Sequence, residues 1–260
     1  MIRSLWTGAT GMKAQQVNMD NISNNLANVN TTGFKKGDVQ FQDLLYDNLR
    51  RPGMVAANGS VLPSGIQVGV GAKVSSIQTN FSQGNLQETG NPLDLALSSD
   101  SFFAVTLSTG ETVYTRDGAF RVTPDGKLVN TDGLQIRFSS GGGNITNPAL
   151  TTVTDTGSVL VTGQNGNASE VGKLELKRFL NPAGLEKIGR NLYRATEASG
   201  APQNVDTNAS HVVSGFLETS NVQIADEMVK MIIAQRTYEM NSKSIQTSDD
   251  MLGIAANLKR

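Results

Sequence analysis

Residues 222–260 read VQIADEMVKMIIAQRTYEMNSKSIQTSDDMLGIAANLKR, and their spacing decides the fold. Ile224, Met231, Tyr238, Ile245 and Leu252 recur at every seventh position as large apolar residues. The companion set Met228, Gln235, Ser242, Asp249 and Ala256 starts apolar and turns polar. This is helical periodicity sustained through four heptads. The opposite end repeats it. Ile2 to Val29 holds no proline, and its only glycines are Gly8 and Gly11; Leu5, Met12, Met19 and Leu26 stand at heptad spacing, with Ile2, Ala9, Gln16 and Ser23 as a weaker second set. So narrow an apolar stripe buries little area against a single partner. In the first thirty residues the only charges are Arg3, Lys13 and Asp20, whereas a solvated helix is usually laced with ion pairs. We therefore expect two terminal helices, far apart in sequence, that pack through small residues and amide hydrogen bonds against other copies as a self-assembling coiled-coil layer.

Between these ends the pattern changes. The first helix is expected to stop within Asn28-Val29-Asn30-Thr31-Thr32-Gly33-Phe34-Lys35-Lys36, where Gly33 can take a left-handed conformation. A short apolar stretch, residues 41–46, ends at Arg51-Pro52-Gly53, and small residues follow to Gly65 with turn signals at Asn58-Gly59 and Pro63-Ser64-Gly65. Farther on, Asp117-Gly118, Asp125-Gly126, Asp132-Gly133 and Asn165-Gly166 alternate with short β-prone runs, the pattern of antiparallel hairpins in a small sandwich or barrel. The expected fold is α+β: residues 1–30 plus 222–260 form a helical terminal domain, 31–75 an extended linker and 76–221 an antiparallel β-rich domain.

Composition narrows the function. The 260 residues are 38% hydrophobic, 5% aromatic and 17% charged, which is lean in both core-forming and charged side chains. A formal net charge of −1 offers no pull toward nucleic acid or an anionic membrane. Cysteine is absent and His211 is the single histidine, expected at the surface, so thiolate chemistry and histidine-rich metal sites are excluded. Residues 1–8 lack a continuous apolar stretch of signal-peptide length, so any export is expected to proceed without a cleaved signal. No apolar run approaches the ~18 residues of a membrane span. Asp155-Thr156-Gly157-Ser158 matches an aspartic-protease loop, but that chemistry needs a second carboxylate loop and none is present, so a plain strand–turn–strand is expected. The Asp-Gly pairs lack calcium-loop spacing, and no phosphate-binding loop occurs. No catalytic, metal-binding or cofactor-binding residues are expected.

Several stretches carry a resemblance. Residues 24–36 (NNLANVNTTGFKK) and 217–222 (LETSNV) stand out, as do EMVKMI at 227–232, QRTYE at 235–239 and NSK at 241–243. QGNL at 83–86, NPLDLA at 91–96 and YTRDG at 114–118 join them. In these the chain resembles the flagellar rod and hook family of axial proteins, with Asn28, Gly33, Phe34, Asn221 and Val222 as signature residues. Residues 44–69 are similar to a segment specific to distal rod proteins, marked here by Tyr46, Arg51, Pro52, Gly53, Leu62, Pro63 and Gly65. One departure is Ser99-Asp100-Ser101, where relatives commonly place Gly-x-Gly; serine tolerates positive φ poorly, so a different local turn is expected.

The resemblance implies a structural subunit, not an enzyme, exported through the flagellar type III apparatus and polymerised helically in the periplasm. The polymer is the distal part of a drive shaft that carries torque to the hook. Its partners are itself, the proximal rod, the hook and the L and P ring proteins, with no nucleic acid and no membrane insertion. Leu5, Met12, Met19 and Leu26, with Ile224, Met231, Tyr238, Ile245 and Leu252, are expected to carry the inner packing around an export channel, and residues 46–65 to add intersubunit contacts. The alternatives are a hook or proximal rod protein, or a secreted coiled-coil binding module. An adhesin stalk should carry regularly charged e and g flanks, which these helices lack.

Overall fold

Both terminal patterns become helices in the computed structural model, which describes residues 2–53, 64–142, 144–145, 150–162, 168–205 and 212–257. Helix α1 spans Ile2–Ala27 and α2 spans Ile224–Asn257. Asp226 and Glu227 occupy the first turn of α2, where negative charge complements the helix dipole. Past the end of α1 the Thr31 N–H donates to the Asn28 carbonyl at 3.2 Å, the Phe34 N–H donates to the Thr31 carbonyl at 3.3 Å, and Gly33 sits at φ 67°. Asn58-Gly59, Leu62, Pro63, Asn165-Gly166 and His211 lie outside the described residues.

The chain forms two compact units. A helical unit comprises Met1–Leu26, Gly37–Gln78 and Gln223–Arg260, and a β unit comprises Ala27–Lys36 and Thr79–Val222. Beside its helices the helical unit holds β1 (Gly37–Asp43), β2 (Tyr46–Arg50), β3 (Ile66–Gly69) and β4 (Ala72–Thr79). β1 pairs with β4, and β2 pairs antiparallel with β3 from Tyr46↔Gly69 to Arg50↔Ile66. Residues 31–75, expected as one extended linker, are thus divided between the units, because the described part from Gly37 onward satisfies its backbone in strand pairs.

The β unit opens with β5 (Leu86–Glu88), β6 (Leu95–Leu97), β7 (Ser101–Thr106) and β8 (Thr112–Thr115). A nine-stranded sheet is organised around β7, which pairs antiparallel with β8, Gln135–Ile136 and Leu176–Arg178. Alternation along β7 feeds two cores. Phe103 and Val105 join Val113, Phe120, Leu128 and Ile136, while Phe102 and Ala104 join Tyr114, Phe179 and Tyr193. Phe103 meets Phe120 edge to face at 5.0 Å, and Tyr114 meets Phe179 at 4.8 Å. A four-stranded antiparallel sheet adds Val153, Val159 and Val161 to the first core.

Asp125-Gly126 and Asp132-Gly133 turn hairpins among Arg121–Val122, Leu128–Val129 and Gln135–Ile136, each glycine at φ 78°. Asp117-Gly118 differs: the Gly118 carbonyl accepts the Leu95 N–H at 3.0 Å, and a Cβ on Gly118 would collide with the Leu95 carbonyl oxygen. That glycine serves a close chain crossing instead of a hairpin. Ser99 and Ser101 avoid positive φ; the Ser101 N–H donates to the Ser99 carbonyl at 2.8 Å and their hydroxyls are 2.8 Å apart.

Candidate assembly interface

Within the helical unit α1 and α2 run antiparallel. Ser4 Oγ lies 3.0 Å from Ser248 Oγ, and Asn25 Nδ2 donates to Glu227 Oε2 at 3.1 Å. Between these ends a Cβ on Gly8 would stand 2.8 Å from Ile245 Cγ1, and one on Gly11 would stand 2.9 Å from Asn241 Nδ2. Numbers rise on one helix as they fall on the other. The buried positions are Gly8, Ala14, Ile22 and Asn25 on α1, and Glu227, Ala234 and Ser248 on α2. Leu5, Met12, Met19 and Leu26 are half-buried, as are Met231, Leu252 and the seam residue Ile245, whereas Ile224 and Tyr238 are exposed. Small residues and amides, expected to face other copies, here close a seam inside one chain. Leucine at Gly11 must displace Asn241, so Gly11→Leu is expected to destabilise the helix pair by about 1–3 kcal/mol. The control Gly253→Leu adds its side chain to open space and should not lower the circular-dichroism melt but raise it slightly, because leucine is the better helix former.

The seam ends in a polar clamp. Asn25 is buried; its Oδ1 accepts the Gly37 N–H at 3.0 Å and its Nδ2 donates to the Gly37 carbonyl at 2.9 Å. Asn21 Nδ2 reaches the same carbonyl at 2.7 Å. Buried Glu227 accepts Lys230 Nζ on Oε1 at 2.8 Å, a hydrogen bond that holds the Lys230 amine above its ordinary pKa, and Asp38 lies 3.6 Å from the same amine. One asparagine thereby holds both backbone groups of Gly37 and one carboxylate of α2.

This pairing leaves apolar surface uncovered. On α2, Met228, Val229, Ile232, Ile233, Met240 and Ile254 are 52–63% exposed. Large apolar side chains exposed in this number along one helix mark a binding face. Every residue of β2 is exposed, with Tyr46 and Leu49 beside Leu45 and Ile66, and a lone two-stranded ribbon is marginal in water. Arg51, Pro52 and Gly53 are exposed as well; Gly65 packs so closely that a Cβ would stand 2.7 Å from Pro52 Cδ. Arg3 of α1 pairs with Asp47 of β2.

The signature residues have local tasks in the β unit. Gly33 donates its N–H to the Glu218 carbonyl at 2.8 Å, and a Cβ there would meet Asp117 N at 2.7 Å. Lys187 Nζ stands 5.3 Å over the Phe34 ring. Val222 is buried, and Asn221 Oδ1 accepts the Lys36 N–H at 2.9 Å. Sequence reasoning missed the charge cluster beneath them. Glu218 is buried with Lys35 and Arg116: Lys35 Nζ donates to Oε1 at 2.5 Å, Arg116 Nη1 to Oε2 at 3.4 Å, and the Gly84 N–H to Oε1 at 2.9 Å. Burial pushes the Lys35 amine below the usual lysine pKa, with Glu218 pulling the other way.

Comparison with known proteins fits this architecture. Over 269 aligned positions the chain is 45% identical to the flagellar basal-body rod protein FlgG of Borreliella burgdorferi, with all of both chains covered. The chain belongs to the flagellar basal-body rod family. It is also 40% identical to the rod protein FlgG of Bacillus subtilis and 32% identical to that organism's hook-basal body complex protein FlhP, again over the whole of both chains. Family models match it at residues 5–35 (Flagella basal body rod protein), 96–167 (Flagellar hook protein FlgE/F/G D1 domain) and 213–258 (Flagellar basal body rod FlgEFG protein C-terminal).

As a member of the rod family the chain is a structural subunit of the flagellar basal body and not an enzyme. Asp155-Thr156-Gly157-Ser158 is accordingly an ordinary hairpin between Thr151–Val153 and Ser158–Thr162, closed by Thr154 N–H to the Ser158 carbonyl at 2.9 Å with Gly157 at φ 79°. Among the described helices none is long and apolar enough to cross a membrane.

Proposed function

We propose that the chain polymerises helically as the subunit of the distal rod, the rigid shaft that transmits torque to the hook. Its terminal helices form an inner coiled-coil layer around an export channel, and the β units form the outer sleeve. The observation that carries this reading is the row of large apolar side chains left exposed along α2, surface that a helical polymer would bury. Leu5, Met12, Met19, Leu26, Met231, Ile245 and Leu252 extend that packing, with Ile224 and Tyr238 at its exposed rim. The β2–β3 ribbon with Arg51, Pro52 and Gly53 supplies further contacts between subunits. The subunit leaves the cell interior through the type III apparatus and assembles in the periplasm, reaching through the outer-membrane ring. There it meets the proximal rod, the hook and the L and P ring proteins. Electron microscopy of the purified chain under polymerising conditions tests this. Straight tubes are expected; curved tubes would favour a hook protein, and no tubes a binding module.

A further inference from the structure

The chain passes between its units at residues 26–27, 36–37, 78–79 and 222–223. In the β unit, the residues flanking the last three passages are bonded through one side chain. Asn221 Oδ1 accepts the Lys36 N–H at 2.9 Å, while Nδ2 donates to the carbonyls of Asn80 at 2.9 Å and Ser82 at 3.1 Å. The Asn80 N–H closes the circuit on the Lys36 carbonyl at 2.9 Å. Behind this amide, Lys35 Nζ donates to the Ser82 carbonyl at 2.7 Å as well as to Glu218. The three segments ending in Lys36, beginning at Asn80 and ending in Asn221 are therefore each held to the others.

An amide suits this place because it offers an acceptor and two donor hydrogens in one plane. Aspartate keeps the acceptor for the Lys36 N–H and loses both donors. Alanine loses everything.

We propose that Asn221 is a clasp that makes these passages of the chain share mechanical load. A force drawn along one passage is carried by all three segments, which must break together instead of peeling away one at a time. The proposal rests on the rod-subunit function proposed above: torque in a rod pulls on the polypeptide joining each subunit's helices to its β unit, and unequally on its several passages. Asn221 is thus a positioning residue for torque transmission, and this gives the signature asparagine a task beyond packing.

The test uses the full chain carrying Asn221→Ala or Asn221→Asp, assembled into tubes. With the hydrogen bonds of the Asn221 amide lost, the Lys36 and Asn80 amides in Asn221→Ala should exchange hydrogen at least about fivefold faster. The Phe103 and Val105 amides of β7 should be unchanged. Tubes of Asn221→Ala should lose bending stiffness, read from their thermal fluctuations, and those of Asn221→Asp at least as much, because aspartate keeps the Lys36 contact but sets a carboxylate oxygen against the Asn80 and Ser82 carbonyls. Unchanged stiffness in a variant whose Lys36 and Asn80 amides have opened overturns the proposal, and so does unchanged exchange at those amides. Should Asn221→Ala not assemble, Asn221→Asp carries both readings. Failure of the unsubstituted chain to form tubes sinks the rod function itself, a result distinct from stiff variant tubes.

Discussion

Replacing Val229 and Ile233 together by aspartate is expected to abolish tube formation while the single subunit keeps its helix content and melting point. The two side chains lie one turn apart on α2 and are 56% and 60% exposed. If a neighbouring subunit covers them, each contributes about 1 kcal/mol or more from the apolar area that remains to be buried. Aspartate removes that contribution and adds a carboxylate that must be stripped of water without a partner, at a cost of several kcal/mol. The two changes together should exceed about 4 kcal/mol per contact, roughly a thousandfold in the concentration needed for assembly. In the free subunit the same positions face water, where substitutions usually stay within about 0.5 kcal/mol. Sedimentation with electron microscopy measures the first effect and circular dichroism the second. Tubes at the usual concentration would remove this face of α2 from the polymer.

How much of this surface was legible in the sequence follows from what each signal consists of. Heptad repetition announced α1 and α2 because periodic bulk is visible in a single chain. It located the helices but, Ile245 apart, not their mutual seam, whose members are Ser4, Gly8, Gly11 and Asn25 against Ser248, Ile245, Asn241 and Glu227. A seam that closes through lack of bulk leaves no apolar stripe. The two glycines of α1 carry no periodic signal, yet they are the places where α2 comes near. Asp125-Gly126 and Asp132-Gly133 were readable because a hairpin turn is local. Gly118 was not, since its requirement comes from Leu95, which passes it from elsewhere in the chain. The charge cluster was hidden for the same reason: Lys35 and Glu218 stand 183 residues apart and become a pair only when the β unit closes.

That cluster should be the most sensitive point of the β unit. Glu218→Gln is expected to destabilise the unit by about 3–5 kcal/mol at neutral pH, on the order of 10 °C in melting temperature. The glutamine amide can still accept from Lys35 or Gly84, but its NH2 then faces Arg116, donor against donor. Two buried cations are left without a buried carboxylate, and Asp100, 3.8 Å from Arg116, is largely exposed and compensates little. Lys35→Met should behave differently. It leaves Arg116 and Glu218 as a pair, and the Ser82 carbonyl keeps the amide of Asn221. Its effect is expected to be small or stabilising, because the Lys35 amine is held below its unfolded pKa by burial and its charge is a penalty at neutral pH. The sign follows from linkage. With the folded pKa below the unfolded one, the unfolded state binds more protons as pH rises through the interval between them, so the folded state gains stability there. The defect of Glu218→Gln should therefore shrink in part as pH rises toward 10.5 and Lys35 sheds its proton, and the double variant with Lys35→Met should recover only Lys35's share of the loss at pH 7, because Arg116 stays charged and buried without its carboxylate. Thermal melts of the three variants between pH 7 and 10 measure this. A Glu218→Gln defect that stays constant across that range, and survives Lys35→Met, would mean that lost packing, not uncompensated charge, sets the cost.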